Sequence, residues 1–135
     1  MDRFVKNFIF MSIVYLMVAS FLGVLMLQGG YGQFKFVHSH LMLLGWVSMM
    51  IYGVGYHILP KFAGRFLKSK AMAVAQFWTA NIGLIGMLGF YLAGFYDPET
   101  PAWRTLSTSF GAIEVLSIGL FFYNMIATLY SKEPE

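Results

Sequence analysis

The chain has 135 residues, 59% of them hydrophobic and 11% charged, with a mean hydropathy of +0.67 and a formal net charge of +3. Soluble domains are about 45–50% apolar and about a quarter charged, so this balance marks a membrane protein. The absence of cysteine excludes disulfides, thiolate-ligated heme, iron–sulfur clusters and covalent heme attachment through a Cys-x-x-Cys-His motif.

In chain order, charge-free runs cover Phe8–Gln28, Phe36–Pro60 and Ala71–Tyr96, and a fourth, Thr105–Ser131, is broken only by Glu114. Each exceeds the roughly 20 residues that a spanning helix needs. The sequence therefore predicts an all-α, four-helix transmembrane up-down bundle. It reads as a single membrane domain over 1–135, with spans at about 8–28, 36–60, 71–96 and 105–130. The first run is longer than the 7–15-residue apolar core of a signal peptide, and Val18-Ala19-Ser20 would cut inside it. It is read as a span.

The connections set the expected topology. The first, "GGYGQFKF", is glycine-rich, and the second, "PKFAGRFLKSK", gathers Lys61, Arg65, Lys68 and Lys70 without an acid. The third, "DPETPAWRT", carries Asp97, Glu99 and Arg104. Positive loops stay on the cytoplasmic side, which puts both termini in the cytoplasm and makes this a multi-pass protein of the cell (inner) membrane. Arg3 and Lys6 agree, and the tail "SKEPE" favours neither side. A folded basic surface for nucleic acid has no residues left to build it. Pro60 is expected to end the second helix. Gly45, Ser48, Gly53 and Gly55 on span two, and Gly83, Gly86, Gly89 and Ala93 on span three, are small residues that let helix backbones approach in lipid.

The three histidines, His38, His40 and His57, all fall on span two. Two positions along a helix amount to about 200° of rotation and about 3 Å of rise. His38 and His40 therefore share a depth and point to opposite sides, so they cannot grip one metal from a helix. They suit two separate groups, one on each face, and neutral imidazole is the commonest metal ligand. His57 lies roughly 25 Å further along the axis, beside Pro60 and the basic loop. It is read as a boundary residue, with a second heme at that end as the sharper alternative. Glu114 is the single acid inside a span, and such residues are costly in lipid and usually functional. It is read as kept neutral, hydrogen-bonded to Asn81 or Asn124, relaying protons, or adjacent to a cofactor. Most methionines and aromatics are read as packing.

The second span, "HSHLMLLGWVSMMIYGVGYHILPKF", resembles the tenth helix of the catalytic subunit I of heme-copper oxidases, most closely the cbb-type branch. The features are His38-x-His40, Gly45-Trp46, Gly53, Tyr56, and Pro60 followed by a basic residue. "QFWTANIGLIG" is similar to the eleventh helix and "WRTLSTSFGAIEVLSIGLFFYNMIATL" to the twelfth. Span one would match the ninth, though it shows no motif. The resemblance implies that the first histidine of the pair holds a high-spin heme and the second a low-spin heme on the opposite face. It implies heme b as cofactor, with His38, His40, Trp46 and Glu114 as cofactor-binding residues and His40 and His38 as iron ligands.

The departures are equally informative. The copper-site histidines are missing, so no copper and no complete oxygen reduction are expected, and any activity would be heme-based redox. The helix that carries the other low-spin ligand is missing too, and a homodimer is the simplest source of it. The expectation is a membrane-embedded b-type heme protein for electron transfer or for binding a diatomic gas such as NO or O2, with a quinol or cytochrome as electron donor. The competing readings are a structural or assembly subunit without heme, and a small proton-coupled transporter.

Overall fold

The computed structural model describes residues 1–130 of the chain. The tail from Ser131 onward, where the charge argument favoured neither side, lies outside the described residues. Every regular element is helical: α1 (Arg3–Met26), α2 (Phe34–Phe62), α3 (Lys70–Tyr96) and α4 (Ala102–Leu129). All four are long and apolar enough to cross a membrane, and the chain is a multi-pass membrane protein.

The helices outrun the charge-free segments because terminal charges sit at the bilayer edge. Thus α1 starts at Arg3, directly after Asp2, whose carboxylate pairs with Lys70 Nζ at 3.1 Å and ties the first and third helices together at their ends. The turn after α1 runs through Gly29 and Gly30, with φ of 79° and 78°, a backbone conformation that glycine adopts without steric penalty. Ser69 caps α3, its Oγ accepting from the Met72 amide at 3.1 Å.

Two features of α2 differ from the sequence expectation. Its middle, Leu41–Ser48, is π-helical, a wider winding that begins directly after His40. Pro60 lies in the last turn and does not end the helix, which continues through Lys61 and Phe62. Proline removes one amide donor, and with it the hydrogen bond to the carbonyl four residues earlier; the chain nevertheless winds one half-turn further before it leaves the helix at Ala63.

The bundle is built from two antiparallel hairpins, α1–α2 and α3–α4. Within each hairpin the helices touch closely through glycine. At Gly83 a Cβ would lie 2.7 Å from the backbone nitrogen of Glu114, and at Gly53 one would lie 2.9 Å from an Ile9 side-chain carbon. Between hairpins the backbones stay apart, and aromatic rings fill the seam. Phe8 meets Phe77 edge-on at 5.1 Å, Tyr52 and Tyr56 reach Phe121 at 4.7 and 5.1 Å, and Phe36 stacks on Tyr91 at 4.3 Å. A direct polar link crosses the seam in the bundle interior, from the Tyr15 hydroxyl to Asn81 Oδ1 at 2.6 Å.

The two ends are distinct. At the basic end Asn124 clamps the α2–α3 loop, accepting from the Ser69 amide at 3.1 Å and donating to its carbonyl at 2.8 Å, while Thr128 Oγ1 accepts from the Lys68 amide at 3.0 Å. At the histidine end Trp103 Nε1 donates to Asp97 Oδ2 at 3.0 Å.

Gly83→Ala must push a methyl into backbone, so it is expected to destabilise the bundle by about 1–3 kcal/mol. Gly89→Ala, where nothing lies within 4 Å, should be neutral or slightly stabilising. Unfolding in mixed detergent followed by circular dichroism checks the pair, and equal stabilities would refute the close-packing account. Asp97 yields a pH test. Its carboxyl is held below the usual carboxylate range by the Trp103 indole N–H, and then by Thr100 and the Glu99 backbone. A depressed value means that the contact stabilises above the unfolded value of about 4 and is lost as pH falls through the folded one. Indole fluorescence should therefore show an acid transition that Asp97→Asn abolishes; a transition that survives the substitution refutes the assignment.

Candidate functional site

The histidine pair occupies the last α-helical turns before the π segment, and the two rings face different neighbours. His38 leans on α1: its Nδ1–H donates to the Ala19 carbonyl at 2.8 Å, and its ring rests where Gly23 has no side chain. A Cβ on Gly23 would come within 3.1 Å of His38 Cε1. Ala19 and Gly23, one turn apart, thus form a notch that seats the imidazole. Span one carries a motif after all, a small-xxx-small pair of the kind that lets helices approach in lipid, and it could have been noticed in "ASFLG".

His40 leans the other way. Its Nδ1–H donates to the Phe36 carbonyl one turn earlier at 2.9 Å. Its ring lies 3.9 Å from that of Phe36, which in turn stacks on Tyr91 of α3. One imidazole therefore belongs to the α1 side and the other to the α3 side, in keeping with two residues of helical spacing.

The shared feature is the state of the rings. A carbonyl oxygen only accepts, so each Nδ1 must carry the proton. Neutral His38 and His40 then hold a lone pair on Nε2, and among the described residues no hydrogen bond occupies either Nε2. A metal-ligating histidine usually has one ring N–H anchored to a carbonyl or carboxylate and the other nitrogen free to bind. His57 is arranged oppositely: its Nε2 accepts from Lys61 Nζ at 3.2 Å, so its lone pair is engaged at the basic end.

The other two candidates lie apart from the histidines. Trp46 is half-buried in the π segment, and no hydrogen bond or ring contact joins it to His38 or His40. Glu114 is 2% exposed and both its carboxylate oxygens lack a hydrogen-bond partner. Asn81 and Asn124, read as its mates, are committed elsewhere: Asn81 to Tyr15 and the Phe77 carbonyl, Asn124 to Ser69. Glu114 packs at the level of Gly83, eight residues and roughly 12 Å along α3 from Tyr91, which marks the depth of His40. Among the described residues no group of three or more His, Cys, Asp or Glu forms a metal cluster. The donor set present is therefore two separate imidazoles.

A π-helical stretch directly after the pair was not legible from composition. Such windings recur at functional sites. Here the segment carries Gly45 onto α1, where a Cβ would lie 2.8 Å from the Tyr15 side chain.

With that geometry established, comparison with known proteins gives one clear likeness. Over 108 residues the chain is 30% identical to the Cbb3-type cytochrome c oxidase subunit CcoN1 of Stutzerimonas stutzeri, an alignment that covers 77% of this chain and 20% of that protein. The chain thus spans about a fifth of the length of the curated relative it matches. No family model matches the chain, and no solved structure matches it. The likeness is to a segment of a membrane oxidase subunit, in line with the heme-copper oxidase resemblance read from the second span.

The ring assignment is directly testable. In 15N-histidine-labelled protein at neutral pH without added metal, His38 and His40 should show the Nδ1–H tautomer with an unprotonated Nε2. Protonation at Nε2 in both residues would remove the basis for treating them as poised ligands.

Proposed function

We propose that this chain is a membrane-embedded b-type heme protein in which His38 and His40 supply axial nitrogen ligands. The observation that carries the reading is the pair of anchored Nδ1–H groups, which fixes both rings and leaves each Nε2 lone pair unoccupied. The donor chemistry fits heme iron, which accepts a neutral imidazole nitrogen. The oxidase-like similarity supports the same cofactor.

Bound heme would supply one-electron transfer or a site for a diatomic gas. The chain's own residues do the positioning. Ala19 and Gly23 orient His38, and the Phe36 carbonyl and the Phe36–Tyr91 stack orient His40. The anchoring carbonyls also make the imidazoles stronger donors.

Each histidine brings one ligand, and among the described residues the three imidazoles engage separate partners, none of them another histidine. We therefore place the completed site at or near a contact between two copies of the chain, where a two-fold axis would bring a histidine from each. With only three histidines in the sequence, a copper site of the oxidase kind has no ligands, so the expected role is electron transfer from a quinol or cytochrome, or gas binding. The basic loop places its end in the cytoplasm, which sets the histidines toward the opposite membrane face.

The test is spectroscopic. Protein produced with ample heme should carry a Soret band and give a b-type pyridine hemochrome. His38→Ala and His40→Ala should each lower heme affinity by at least the roughly 10–100-fold that loss of an outer-shell partner produces, while His57→Ala should not. A colourless protein, or one whose spectrum survives both substitutions, would sink the proposal.

A further inference from the structure

We propose that the cavity at the basic end of the bundle holds the phosphate headgroup of an anionic membrane phospholipid. The site stands apart from the histidine pair and does not rest on heme binding.

The loop after α2 is built to turn its charge inward. Gly64 takes a φ of 63°. Its amide donates to the Lys61 carbonyl at 3.1 Å, and the Arg65 amide donates to the Pro60 carbonyl at 2.8 Å. In this closure a left-handed glycine reverses the chain against the last helical turn. Arg65 is thereby folded back beside Pro60, and α2, the loop and the start of α3 together enclose a cavity of about 190 Å³. Cations converge on it from each of the three: Lys61 from the end of α2, Arg65 from the loop, and Lys70 from the start of α3. Lys68 belongs to the same loop but is not among the lining side chains. Retention on the cytoplasmic side requires only that the loop be positive. Convergence on one cavity is a further property, and it calls for an anion.

The polar inventory favours an anion made of acceptor oxygens. The carboxylate at the cavity belongs to Asp2, and Lys70 Nζ already holds it at 3.1 Å. His57 Nε2 accepts from Lys61 Nζ at 3.2 Å, which steadies that ammonium at the cavity with further N–H groups to donate. Tyr56 also lines the cavity; it is 4% exposed, and its hydroxyl has no hydrogen-bond partner. Asn124 lies beside it, but that amide is held by both backbone groups of Ser69. A buried hydroxyl left unpaired is costly, and an acceptor entering the cavity would satisfy it. Ammonium, guanidinium and phenol are all donors, and a guanidinium fork matches two phosphate oxygens at once.

Size and setting select a lipid over a soluble phosphate. The cavity falls below the roughly 300–1,000 Å³ of pockets that enclose drug-sized ligands, so a headgroup enters and the rest of the molecule stays outside. Outside, the surface is apolar: Phe66 at the cavity is 97% exposed, and Phe62 is 86% exposed. Bare rings beside a cationic cavity belong at the boundary between headgroups and acyl chains. A phospholipid meets both parts, whereas inorganic phosphate has nothing to lay on the rings. Basic pockets between spanning helices on the cytoplasmic side take anionic headgroups in this way.

The test titrates the full chain in detergent, at physiological salt, with phosphatidylglycerol or phosphatidylcholine of identical acyl chains. Retained lipid is counted by native mass spectrometry. Phosphatidylglycerol should bind in a one-to-one complex, at least about tenfold more tightly than phosphatidylcholine. Lys61→Gln and Arg65→Gln together should weaken it by about 30-fold, at the usual worth of a cation near a lipid surface. Lys68→Gln, outside the cavity and screened by salt, should cost about threefold at most. The comparison of the two lipids on the native protein stands whether or not a variant folds. The proposal is overturned if phosphatidylcholine is retained as firmly, or if Lys68→Gln weakens retention as much as the paired substitution. It is also overturned if inorganic phosphate strips the lipid beyond the effect of sodium chloride at equal ionic strength, which would make this a site for a soluble phosphate.

Discussion

The spacing between the two hairpins governs the rest of the molecule. Glycine contacts bring α1 to α2 and α3 to α4 at backbone distance, whereas Phe8, Tyr52, Phe77 and Phe121 hold the pairs apart with rings about 5 Å from centre to centre. In lipid the hydrophobic effect does not drive helices together, so close van der Waals packing must do it. Two tight hairpins joined by a ring-filled seam meet that requirement.

At the histidine end the same economy of small residues serves a different purpose. Ala19 and Gly23 let His38 lie against α1, and the ring is locked by a hydrogen bond to a helix carbonyl. His40 is locked by its own preceding turn. Helical spacing alone would aim the two rings apart, but it would not fix their tautomers. That comes from carbonyl acceptors at 2.8 and 2.9 Å, which hold a proton on Nδ1 of each ring.

The four helices were legible because charge-free runs of spanning length have few alternatives in lipid, and the opposite facing of His38 and His40 followed from helix geometry. The missed features all depend on what packs against what. The π winding over Leu41–Ser48 has no local signature, since its residues would form an α-helix equally well; it goes with the seating of Gly45 on Tyr15. Asn81 and Asn124 were read as possible hydrogen-bonding mates for Glu114, yet Tyr15 and Ser69 claim them, and no periodicity encodes that choice. Pro60 was read as a stop because its ring forbids a hydrogen bond, yet the helix runs on to Phe62.

The two polar regions divide the membrane between them. The histidines sit at one end and Glu114 faces the other, roughly 12 Å of helix apart, with the Tyr15–Asn81 bond between the hairpins in the interior. A unit charge appearing 12 Å from Glu114 would be worth about 1.4 kcal/mol at an effective dielectric of about 20, close to a tenfold change in an equilibrium. That is far enough for the two groups to share no ligand and near enough for each to register the other's charge.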